Sequence, residues 1–152
     1  MTDVMWIRSH VELLLQREWE MARVPADPDG DYAFRRGTAM CWVSVLDCDP
    51  PMVRVFAHAA FGLTPSTELY RELNDIQGHS LTARVQLVND LVLVSQTLSP
   101  VGLTQPALAQ AMEAVGSVAD ECGLMLAIAY GGSVPFACDD EDEDVATEET
   151  RE

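Results

Sequence analysis

The side chains best suited to metal binding or nucleophilic chemistry in this 152-residue chain are three histidines and four cysteines, and their spacing favours neither use. His10, His58 and His79 lack a neighbouring ligand at the intervals zinc sites use. On its segment, His58 alternates with Arg54 and Phe56, the pattern of a surface or interface position. Cys41, Cys48, Cys122 and Cys138 occur singly, with no C-x-x-C pair. Cys41 and Cys122 fall on apolar stripes, where a cysteine packs as a small hydrophobe. Cys138 stands beside an acidic run whose carboxylates disfavour a thiolate. No serine lies in a G-x-S-x-G setting, and "YGGS" at 130–133 follows a helical pattern where a phosphate loop would precede one. "DDEDED" at 139–144 clusters carboxylates, but it lacks the glycine and closing glutamate of a calcium loop and has nothing apolar to order it. The expectation is a chain with no catalytic residue, no metal and no cofactor.

Charge narrows the partners. Nine arginines and no lysines face 25 acidic residues, for a net charge of −16. Nine of those acids lie between Asp139 and Glu152, where Arg151 is the single base. Such a chain repels phosphate backbones and anionic lipid, so neither nucleic acid nor a membrane surface is expected as a partner. No run is long and apolar enough to span a bilayer. The start, "MTDVMWIRSH", carries Asp3 and no uninterrupted apolar core, unlike a secretion signal. With unpaired thiols, the expected localisation is cytoplasmic.

Hydrophobic periodicity supplies the elements. Val4, Ile7, Val11, Leu14, Leu15 and Trp19 recur at three- and four-residue steps, predicting a helix from Asp3 to about Ala22. "PADPDGD" at 25–31 stops it. "YAFRRG" and "TAMCWVSVLD" predict two strands joined at Arg36-Gly37, and "MVRVFAHAA" predicts a third after the "CDPP" break. Ser66 or Thr67 caps a short helix ending near Gly78, with Leu69, Leu73 and Ile76 on its apolar side. "ARVQLVNDLVLVSQTL" then reads as a hairpin turning at Asn89-Asp90. Thr104 caps a last helix, with Pro106 in its first turn, that runs to Gly131-Gly132 unless Gly123 ends it earlier. Helix, three strands, helix, two strands, helix is an antiparallel α+β order and not that of a parallel nucleotide-binding sheet.

That order, with "ELYRELNDIQ" leading into a short hairpin, "GLTQPALAQAMEAV" opening the last helix and "YGG" closing it, resembles the bacterial YbjN family, whose fold is that of type III secretion chaperones. The resemblance spans residues 1–132 and leaves 133–152 as an acidic disordered tail. It implies helices on one face of a curved antiparallel sheet, a homodimer, and protein binding without enzymatic activity. YbjN-type proteins also carry a label as sensory-transduction regulators.

The strands themselves raise a question of cover. In the hairpin, Val88 faces Leu91, Gln86 faces Leu93 and Arg84 faces Ser95 on one side, while Val85, Leu87, Val92 and Val94 share the other. In "TAMCWVSVL", Ala39, Cys41, Val43 and Val45 form one apolar face, and Met40, Trp42 and Leu46 point the other way. If helices cover one side only, Met40, Trp42, Leu46, Phe56, Val88, Leu91 and Leu93 form an apolar patch for a partner or a second copy. The expected function is therefore a chaperone-like module that engages a protein segment on its sheet face. The alternative is a small-molecule-sensing regulator with a cavity between sheet and helices.

Overall fold

The computed structural model describes residues 4–137, and in them the alternating segments become strands and the 3.6-period segments helices. The order is α1 (Val4–Glu18), β1 (Tyr32–Arg36), β2 (Ala39–Leu46), β3 (Met52–Ala60), α2 (Thr67–His79), β4 (Arg84–Val88), β5 (Leu91–Leu98) and α3 (Gln105–Tyr130). All strand pairs are antiparallel, in the sheet order β1-β2-β3-β5-β4. This is the expected α+β architecture. The hairpin has the expected register, Val88 opposite Leu91 and Arg84 opposite Ser95, with Asn89 taking the positive φ of 59° that its turn requires.

Capping follows local chemistry. Ser66 Oγ accepts the Leu69 N–H at 3.0 Å, and Thr104 Oγ1 accepts the Ala107 N–H at 3.3 Å, each satisfying a donor that a helix start leaves unpaired. α3 ends on Gly131 in the left-handed region.

The helices gather on one face of the sheet. α3 packs across β1, β2, β3 and β5, α1 packs on β2 and α3, and α2 packs on β4. Cys41, Val43, Val55, Ala57, Val92 and Val94 point into this layer, each fully buried. Ile7, Val11 and Leu15 of α1, Leu69 of α2 and Leu108, Val115 and Leu126 of α3 meet them. Each buried aliphatic side chain contributes roughly 1.5–3 kcal/mol, which makes this face the source of stability.

Two boundaries differ from the sequence reading. α1 stops at Glu18, not Ala22, because Glu20 adopts φ 52° and the Met21 N–H bonds back to Gln16 O at 3.0 Å. No glycine or asparagine advertises that left-handed turn. α3 reaches Tyr130 as expected and passes through Gly123, where a Cβ would lie 2.3 Å from Ala59 O, so this glycine lets the helix press on β3. Beyond Gly132, Ser133 exchanges two 2.9 Å backbone hydrogen bonds with Phe61, and the Phe136 N–H donates to Thr38 O at 3.2 Å. The chain thus stays attached to the sheet past the expected start of the tail. Cys138 and the acidic run lie outside the described residues.

Candidate functional site

The sheet face opposite the helices is built from strand residues that alternate with the core. Among the described residues no helix lies over it, and its larger side chains are only partly buried. Antiparallel register sets them in rows. Arg35, Met40, His58, Leu93 and Gln86 align across all five strands. In the next row, Ala33, Trp42, Phe56, Ser95 and Arg84 align. Leu46 pairs with Met52 at one corner, and Val88 with Leu91 at the other.

The expected surface residues therefore share one face. Met40, Trp42, Leu46, Phe56, Leu91 and Leu93 are partly buried, and Val88 is exposed. They form a diagonal apolar band from Leu46 through Trp42 and Phe56 to Leu93 and the hairpin tip. At its centre the rings of Trp42 and Phe56 stack at 5.1 Å and 18°. His58 tilts against Trp42 at 4.6 Å. Cross-strand aromatic pairs of this kind contribute about 0.5–1.5 kcal/mol beyond area burial.

The electrostatics of this face oppose those of the whole chain. The five strands carry Arg35, Arg36, Arg54 and Arg84 but no aspartate or glutamate. Arg36 turns to the helix side, where it pairs with Glu113 of α3. The Arg54 guanidinium lies 4.8 Å over the Phe56 ring, and its Nε is buried with no hydrogen-bond partner among the described residues. A buried N–H without an acceptor costs roughly 1–3 kcal/mol. Burial holds His58 below its ordinary pKa, so this ring sits neutral among the aromatics.

Met52, Arg54 and Arg84 were absent from the surface expected from the sequence. The alternation of "MVRVFAHAA" places Met52 and Arg54 with Phe56. The hairpin pattern already set Arg84 on the side of Leu91 and Leu93, and the pairing of β5 with β3 brings it into the row of Phe56.

Elsewhere the reactive side chains are structural. Cys41 and Cys122 are buried free thiols, with burial pushing them up to about 12 and about 11. His10 bonds Leu103 O at 2.9 Å, and His79 bonds Asp75 O at 2.8 Å. No cluster of three metal-ligating side chains occurs among the described residues. On the helix side an open groove of about 490 Å³ runs past Gln96, Leu98 and Ala111 between β5 and α3. Gln96 Oε1 is buried beside it without a hydrogen-bond partner among the described residues. No helix of the described residues is long and apolar enough to cross a membrane.

The family model described as T3SS (YopN, CesT) and YbjN peptide-binding chaperone 1 matches residues 5–138. The type III secretion chaperone SycH of Yersinia pestis, solved with a stable fragment of YscM2, superposes with a TM-score of 0.56 at 18% identity, covering 74% of this chain and 96% of that one. A chain of the ExsC–ExsE complex superposes with a TM-score of 0.60 at 11% identity, covering 76% of this chain and 92% of that one. At such identities the likeness is one of fold. No curated protein sequence matches the chain.

Proposed function

Since the chain belongs to the T3SS and YbjN family of peptide-binding chaperones, we propose that its open sheet face holds an extended segment of another protein. The observation that carries this reading is the Trp42–Phe56 stack, left uncovered by the helices beside the Arg54 guanidinium. Apolar side chains of the segment pack on Trp42, Phe56 and Met40. Its carboxylates reach Arg54 and Arg84. From the Leu46–Met52 pair to the Met40–His58 pair the band is roughly 20 Å long along the strands, the length of about six extended residues. The role is binding and shielding, without enzymatic chemistry, in a reducing cytoplasm that keeps the thiols free.

The hairpin tip, with Val88, Leu91 and Leu93, is the region we assign to pairing with a second copy. This leaves the aromatic centre for the partner segment.

The test is selection from a displayed random-peptide library. The intact protein should enrich peptides that combine aromatic or aliphatic anchors with acidic residues, and Trp42→Ser with Phe56→Ser should abolish that enrichment. Equal enrichment by both proteins would place binding elsewhere. The second reading, small-molecule sensing, draws on the groove beside Gln96. A saturable thermal shift with one compound of a metabolite panel, lost in Gln96→Leu, would favour it.

A further inference from the structure

We infer that the acidic segment Asp139–Glu152 of this same chain occupies the open sheet face until a partner displaces it. The inference rests on the reading of that face as a site for extended segments, and it names the first segment to sit there. The last described residues deliver the chain to the rim of the face. Phe136 is tied to Thr38, which precedes β2, and the Arg35 guanidinium lies 4.0 Å over the Phe136 ring. Arg35 is the β1 member of the row that runs through Met40 and His58.

Reach is sufficient. Residues 138–152, fully extended, span about 50 Å. Four strand spacings from β1 to β4 amount to only about 19 Å.

Charge selects this face over others. The strands hold Arg54 and Arg84 and no acid, in a chain with 25 acidic residues, and nine of those acids lie in the segment. The Arg54 guanidinium over the Phe56 ring gives a carboxylate of the segment a charge-assisted partner. Tethering presents that carboxylate at about millimolar effective concentration, so weak individual contacts suffice for occupancy. A partner must then outcompete an internal segment, which raises the threshold for binding and keeps the aromatic band covered while the protein is empty.

Paramagnetic relaxation in the full chain tests this. A nitroxide is attached at Thr147→Cys after Cys48→Ser and Cys138→Ser, with the buried Cys41 and Cys122 left unmodified. The expected result is loss of amide signal at Phe56, His58 and Arg84 but not at Ala111 on the helix side. The loss should reverse at about 1 M salt, where the screening length falls to about 3 Å. Changing Asp139, Asp140, Glu141, Asp142, Glu143 and Asp144 to amides should reverse it as well. No broadening, or equal broadening on both faces, overturns the inference. So does broadening that arises only when spin-labelled chains are mixed with separate isotope-labelled ones, since the segment would then sit on a second copy. Peptide selection by the face does not depend on this result, so success there with failure here removes the internal occupant alone.

Discussion

Trp42 of β2 and Phe56 of β3 stand directly opposite in register, rings stacked 5.1 Å apart, on the sheet face that the helices leave uncovered. Their immediate sequence neighbours Cys41, Val43, Val55 and Ala57 are wholly buried against the helices. The sheet thus divides by parity: one set of residues forms the core with the helices, and the set between them lies on the face the helices leave uncovered. Substitutions on the two faces should have opposite consequences.

The hairpin offers the sharpest contrast. Leu91→Asp with Leu93→Asp should leave the fold intact and weaken self-association by at least about tenfold, as each leucine contributes about 1.5 kcal/mol to an interface. Val92→Asp with Val94→Asp should unfold the domain, because both valines are fully buried and the new carboxylates would have no partner. Sedimentation and circular dichroism on both pairs check this.

Gly123→Ala sets two effects against each other. Alanine in a helix gains up to about 1 kcal/mol over glycine. Here its Cβ would collide with Ala59 O, a rigid strand carbonyl, and overpacking of that kind costs about 1–3 kcal/mol. The collision should win, and urea unfolding should show net destabilisation.

Much of this was readable in advance. "MVRVFAHAA" alternates so strictly that β3 has the expected bounds, and Asn89-Asp90 fixed the hairpin register because a two-residue turn leaves one pairing. What escaped depends on long-range contacts or on backbone geometry without a marker residue. The role of Gly123 shows only when α3 is seen to touch Ala59, and Glu20 ends α1 in a conformation its side chain does not favour. Arg54 and Arg84 gain meaning only once β5 lies beside β3. Ser133 and Phe136 carry no strand pattern, yet bond to Phe61 and Thr38 through their backbones.

His58 gives the stability a pH dependence of definite sign. Its folded pKa is depressed by burial, so the unfolded chain takes up a proton first as pH falls. Its contribution is complete above the ordinary histidine value of about 6.5 and declines as pH drops from there toward the folded value. Its neighbours on the face are the Trp42 and Phe56 rings, with arginines as the only charged side chains on the strands. His58→Gln should flatten the slope of unfolding free energy as pH falls below about 6.5.

The described thiols should divide by burial. Cys48 is exposed, and native protein at about pH 8 should alkylate there while Cys41 and Cys122, pushed up to about 12 and about 11, stay unmodified until denaturation. Mass mapping of iodoacetamide adducts reads this directly.

Site-specific photo-crosslinking asks most directly which face binds. A benzophenone amino acid replaces Phe56 in one protein and Arg17, on the exposed side of α1, in another, and each is irradiated with a peptide recovered by selection. Adducts should form at position 56, diminish when Arg54→Gln and Arg84→Gln are added, and be absent at position 17. Adducts at position 17 with none at position 56 would place the binding surface on the helical side and contradict the role assigned to the open sheet.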